Sequence, residues 1–186
     1  DVANATDVQK AFSHRPQVVL HVAGQASTFK SFENPEDDLR TNVQGTIQII
    51  KACLTHKVQR LLYASSMVVY GHPATLPIGE DAAASPISYY GVTKYAAERY
   101  VHATAERTDL QHPLRVTSFR MFNVYGERQG LTNPYQGVMG IFIGKVLRGE
   151  PITIFVDGEQ TRDFIYIQDV VDAWIAAIHN PQAYGQ

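Results

Sequence analysis

Three apolar runs set what this chain can fold into: Val18-Val19-Leu20-His21-Val22-Ala23, Leu61-Leu62-Tyr63-Ala64 and Leu114-Arg115-Val116-Thr117-Ser118-Phe119. The first two are continuous rather than alternating, the pattern of strands buried on both faces. Between them, Asn34-Pro35-Glu36 opens a segment in which Leu39, Val43, Ile47, Ile50 and Leu54 recur with helical period. A second such segment, over 88–107, carries Val92, Tyr95, Ala96, Arg99, Tyr100 and Ala103 at the same spacing. Strands are expected over about 16–23, 59–66 and 114–120, with 123–126 ending the third. Helices are expected over about 8–13, 34–56 and 88–107. Strands alternating with helices of this size predict an α/β fold with a doubly wound parallel sheet covered on both faces.

Ligands of such sheets bind outside the carboxyl ends of the strands. The first strand breaks there into Ala23-Gly24-Gln25-Ala26-Ser27, small residues that permit close approach of a ligand or simply make a turn. Asn42 interrupts the apolar face of the following helix, and both a ligand contact and a backbone-holding role are open to it. The second strand ends in the hydroxyls of Ser65 and Ser66, the third near Asn123. Tyr90 and Lys94 then stand four residues apart, one turn on the same helix face. A phenol is a poor base at neutral pH, and a neighbouring ammonium lowers its pKa. Tyr-x-x-x-Lys is therefore a way to build a general base for a hydroxyl proton. An isolated pair would more simply be an exposed lysine on an amphipathic helix; the strand-end hydroxyls favour chemistry.

Composition narrows the classes. The chain has 186 residues, 45% hydrophobic and 18% charged, enough for a sizeable core in one domain or a large piece of one. The net charge of −2 and the absence of Lys/Arg runs argue against a nucleic-acid or membrane-surface partner. No apolar run approaches the roughly 20 residues that span a bilayer. The single cysteine, Cys53, reads as a small core residue, and a reducing cytoplasm is expected. The seven histidines show no ligand-like spacing, so no metal site is expected.

After Gly126 the character changes. A loop over 130–137 precedes a helix over about 138–148, a strand over 151–155, an Asp157-Gly158 turn, a short strand over 162–166 and a helix over 169–179. Gly137, Gly140 and Gly144 imitate a phosphate loop, but no strand precedes them and their spacing puts them on one helix face, where they suit close packing. The expected division is residues 1–126 and 127–186, the chain returning to the sheet near 163–180.

Taken together, Ser65-Ser66-Met67-Val68-Val69-Tyr70-Gly71 followed by Tyr90-Gly91-Val92-Thr93-Lys94 resembles the extended short-chain dehydrogenase/reductase family, and within it the nucleotide-sugar epimerases and dehydratases. His21-Val22-Ala23-Gly24-Gln25-Ala26, Asn42-Val43-Gln44-Gly45-Thr46, Arg120 to Gly126 and Arg162-Asp163-Phe164-Ile165-Tyr166 resemble further family motifs in the family's order. The resemblance implies a Rossmann-like sheet with a small substrate-binding part. It implies NAD-dependent epimerisation of a UDP-hexose type of nucleotide sugar at C4, through a transient 4-keto intermediate. A dehydratase, reductase or amino-acid dehydrogenase on the same scaffold, or a non-catalytic domain unable to hold NAD, are the alternatives.

By position, the resemblance makes Tyr90 the base, Lys94 the residue that holds the nicotinamide ribose and lowers the Tyr90 pKa, and Ser66 the partner of the reacting hydroxyl. Cofactor contacts fall on Asp1, Val2, Val22, Ala23, Gly24, Gln25, Asn42, Ala64, Ser65, Tyr90, Lys94 and Phe122. Substrate contacts fall on Ser66, Asn123, Val138, Thr153, Phe155 and Arg162, the arginine being suited to phosphate or else to an ion pair with Asp163 or Asp169. A homodimer through helices about 36–56 and 88–107 is implied as well. No Gly precedes Gly24, so the family's glycine-rich pyrophosphate turn is absent from these residues. The chain is therefore expected to lack the first strands and the C-terminal part of the family, and to bind NAD by itself no tighter than about millimolar.

Overall fold

The computed structural model describes residues 1–135, 137–154 and 156–186. They divide into two compact units, Asp1–Met121 with Ala176–Gln186, and Phe122–Ile175.

The first unit is built on a three-stranded parallel sheet of β1 (Val18–His21), β2 (Arg60–Ser66) and β3 (Arg115–Met121), in the order β1-β2-β3. Leu20 pairs with Leu62, and Leu62 with Thr117. All seven residues of β2 are buried, as its uninterrupted apolar sequence demands of a central strand. On one face Leu61, Tyr63 and Val116 pack with Val8 and Phe12 of α1 (Ala5–Phe12), with Ile49, Ile50, Ala52 and Cys53 of α4 (Gly45–Thr55), and with Ala97 and Val101 of α5 (Tyr89–Ala105). On the other, Arg60 reaches Thr117 Oγ1 at 2.5 Å and the Ala177 carbonyl at 2.9 Å, where α7 (Ile167–His179) ends. The Cys53 thiol is sealed in this core, and burial pushes its pKa up to about 12.

The long helix expected from residue 34 is present from Pro35 to Thr55, with a π turn inside it. Its first residues pack as α3 (Pro35–Leu39), capped by the Asn34 side chain on the Asp37 amide, and a separate α2 (Thr28–Glu33) precedes it. A π turn, Arg40–Gln44, then inserts before α4, with the Gly45 amide bonded to the Arg40 carbonyl. The wider turn resets which side chains face inward. Asp38, Asn42 and Val43 are buried while Leu39, expected on the apolar stripe, is 48% exposed. A π turn inside a helix is often a functional device.

The second unit contains β4 (Asn123–Tyr125), α6 (Val138–Leu147) and β5 (Phe164–Tyr166). β4 is not the end of the third strand. It pairs in parallel with β5, Asn123 opposite Phe164. Residues 151–154 form no strand; no described strand pairs with them, and all four are exposed. α7 starts at Ile167, two residues earlier than expected. The glycines of α6 pack: a Cβ at Gly144 would sit 2.2 Å from the Leu131 carbonyl oxygen.

Candidate active site

α5 begins at its Ser88 cap, whose hydroxyl accepts from the Gly91 amide at 3.1 Å. That cap fixes the register in which Tyr90 and Lys94 face the sheet, both buried, with Glu98 one further turn along. Ser66 ends β2 beside them, and its hydroxyl acts on the Tyr90 phenol to favour the phenolate. Ser66, Tyr90 and Lys94 thus lie at the carboxyl end of the central strand.

Burial pushes the Tyr90 pKa up, the Ser66 hydroxyl opposes that rise, and the Asp38 carboxylate adds to it. The expected lowering by Lys94 is not found, and it is Ser66 that pulls the phenol down. Lys94 is itself perturbed: burial lowers its pKa to about 8, against the favourable pull of Asp38 and Glu98. Its Nζ lies 4.5 Å from the Tyr63 ring centroid, a cation–π contact. Its charge, after burial, holds His21 down at about 4, so that imidazole is neutral at pH 7. Thr46 Oγ1 donates to the Asn42 carbonyl at 2.6 Å and so accepts from His21 Nε2 at 3.0 Å, which puts the imidazole proton on Nε2.

The other expected cofactor residues fall in four groups. Val22, Ala23 and Gly24 are exposed just beyond β1, and Gln25 is tied by its amide to Asn42 Oδ1 at 2.9 Å. Ala64 and Ser65 are buried in β2, but the Ser65 hydroxyl is committed to Glu98 Oε2 at 2.5 Å. Glu98 also takes the Arg120 guanidinium at 2.6 Å. Asp1 is at the surface, 3.3 Å from Arg40 Nη1, and Val2 packs where a Gly45 Cβ would lie 2.9 Å from its Cγ2. Phe122 opens the second unit.

The expected substrate residues other than Ser66 and Phe155 belong to the second unit. Asn123 donates its side-chain amide to the Asp163 carbonyl at 2.8 Å. Val138 begins α6, and Thr153 accepts from Lys145 Nζ at 3.4 Å. Arg162 is exposed, bonds the Thr161 carbonyl at 2.7 Å, and forms no ion pair with Asp163 or Asp169 among the described residues. Phe155 lies outside the described residues. Sequence reasoning missed His21, Asp38, Thr93 and Glu98 as members of this site. Helical spacing carried two of them: Asp38 is four residues before Asn42, and Glu98 four after Lys94.

The whole chain, residues 1–186, matches the model of the NAD dependent epimerase/dehydratase family. The chain belongs to that family. A putative UDP-glucose 4-epimerase of Methanocaldococcus jannaschii is 38% identical over 164 residues, covering 88% of this chain and 52% of its own. The crystal structure of UDP-glucose 4-epimerase from Thermotoga maritima with UDP-glucose superposes with a TM-score of 0.89 at 34% identity, over 96% of this chain and 57% of that one. UDP-glucose 4-epimerase of Thermus thermophilus, complexed with NAD, gives 0.86 at 32% identity, over 97% and 59%. The chain spans about half the length of the curated relatives it matches. The parallel α/β sheet is thus the Rossmann-like sheet of this family, and NAD is the family's cofactor. Among the described residues, no helix is long and apolar enough to cross a membrane, and no His/Cys/Asp/Glu cluster could hold a metal.

The backbone just beyond β1 is closely packed at Gly24. A Cβ at Gly24 would lie 2.9 Å from Asn42 Oδ1 and 3.8 Å from Lys94 Nζ. The bare backbone at Gly24 therefore lets the buried Asn42 amide approach the loop closely, with the Lys94 ammonium just beyond.

Proposed function

We propose that this chain belongs to an NAD-dependent nucleotide-sugar 4-epimerase acting on a UDP-hexose. The observation that carries the reading is that Ser66 is buried at the end of β2 together with Tyr90 and, one turn along α5, Lys94.

In this reading Ser66 holds the sugar's 4-hydroxyl against the Tyr90 phenol oxygen, which takes its proton. Bound NAD would accept hydride from C4 and return it. The buried Lys94 ammonium would hold the ribose hydroxyls of bound NAD, and the neutral His21 adds no second positive charge beside it. Once the 4-keto sugar has turned over, Tyr90 returns the proton and Ser66 orients the new alkoxide. The base works only as phenolate, and burial raises its pKa, so ionisation must be favoured by positive charge brought to the site.

Asn123, Val138, Thr153, Phe155 and Arg162 are proposed to line the nucleotide diphosphate. The exposed Arg162 guanidinium suits a phosphate. The residues after Ser66 favour epimerase over dehydratase: Met67 and Val68 cannot exchange protons, and loss of water from the sugar needs an acid and a base there. Incubation of the full-length protein with NAD and UDP-glucose should give the C4 epimer; a 4-keto-6-deoxy product would contradict the assignment. We also propose a homodimer through α4 and α5 and their neighbours, supported by Leu39, Val92 and Tyr100, each about half exposed on these helices. Light scattering at micromolar concentration should give twice the monomer mass.

A further inference from the structure

Asp38 is fully buried at the end of α3, and its carboxylate collects hydrogen bonds from three different segments. Its Oδ2 accepts from Thr93 Oγ1 of α5 at 2.6 Å. Its Oδ1 accepts from Gln25 Nε2, in the loop after β1, at 2.6 Å and from Asn42 Nδ2, in the π turn, at 3.2 Å. Asn42 closes the ring. Its Nδ2 lies 3.2 Å from Thr93 Oγ1 and 3.1 Å from the Gln25 carbonyl, and its Oδ1 accepts from the Gln25 amide at 2.9 Å. Thr93 is the residue before Lys94, and its hydroxyl also lies 3.1 Å from the Tyr90 carbonyl.

We propose that Asp38 is a positioning residue for the Tyr90–Lys94 pair, its carboxylate fixing the loop after β1, the π turn and α5 to one point. The proposal rests on the reading that Tyr90 and Lys94 do the chemistry. A carboxylate removed from water costs free energy unless it is hydrogen-bonded, and among the described residues Asp38 has three such donors and no ion pair. A purely structural tie between these segments could be made by a neutral amide or by apolar packing. The charge is kept where it acts on both members of the pair, favouring the Lys94 ammonium and opposing Tyr90 ionisation. The other ionisable groups around the pair are Glu98 on α5, His21 on β1, Tyr63 on β2 and Arg120 on β3, the last bound to Glu98. Asp38 and Asn42 stand four residues apart, which puts both on the inward face where the ring forms.

The test uses full-length protein labelled with ¹³C at the tyrosine ring, with Tyr90→Phe assigning the Tyr90 signal. Asp38→Asn keeps the shape and removes the charge, and Tyr90 should then titrate at lower pH than in the wild type. Thr93→Val deletes the donor to Asp38 at constant size. Turnover should fall about tenfold, as for loss of one hydrogen bond to a charged group, with KM for the sugar nucleotide little changed, and Thr93→Ser should recover most of it. If Asp38→Asn does not fold, the Thr93 pair decides the question. An unmoved Tyr90 titration in folded Asp38→Asn would overturn the proposal, as would Thr93→Val that loses thermal stability but no turnover. The titration is read without substrate, so a wild-type protein without epimerase activity would strike the functional reading and leave this one standing.

Discussion

Lys94 should be a costly residue for the fold. Its ammonium is buried, and its pKa drops from 10.5 to about 8 because water is lost faster than Asp38 and Glu98 replace it. The sign follows from proton counting. Between pH 8 and 10.5 the unfolded chain holds more protons than the folded one, so stability rises with pH through that window. Below pH 8 the full penalty applies. A shift of 10.5 − 8 = 2.5 units corresponds to about 3 kcal/mol. Lys94→Met, which keeps the stem and removes the charge, should therefore be more stable than wild type at pH 7 by about 3 kcal/mol, falling to about 1.4 kcal/mol at pH 9.5 by the same linkage. Urea denaturation of both proteins at several pH values, followed by circular dichroism, measures the difference directly. A Lys94→Met protein no more stable than wild type at pH 7, or a gain independent of pH, would refute the reasoning.

Tyr90→Phe should keep the fold and lose at least about a hundredfold in turnover, the size of a general-base effect; near-normal turnover would remove Tyr90 from that role. Gly24→Ala puts a methyl 2.9 Å from the buried Asn42 Oδ1, which must then move from the Gln25 amide, and should lower the melting temperature; an unchanged melt would contradict this packing. Glu98→Gln leaves the Arg120 guanidinium, a quarter exposed, without its carboxylate, and should lower the melting temperature measurably.

The sheet was legible because its signals are local. Leu61-Leu62-Tyr63-Ala64 reads as a doubly buried strand whatever surrounds it, and Tyr90 with Lys94 reads as one helix face. What escaped depends on partners distant in sequence. β4 is three residues long and exists through β5, some forty residues on; nothing in Asn123-Val124-Tyr125 separates it from the strand before it. Residues 151–154 look apolar enough for a strand but have no described partner. The π turn adds one residue to a helical turn, and no propensity marks it, so the stripe read through Leu39 slipped by one position. Nothing in their own stretches of sequence pairs Asp38 with Thr93. Only the fold shows that they meet across fifty-five residues, and that Ser66 rather than Lys94 moderates the Tyr90 phenol.

The central claim is that hydride leaves and returns to the same carbon while Tyr90 handles the proton. UDP-glucose carrying deuterium at C4, incubated with NAD and the full-length protein, tests it in one spectrum. The account predicts UDP-galactose with the deuterium still on C4. A 4-keto-6-deoxy product, or a C4 epimer that has exchanged its label with solvent, would contradict it.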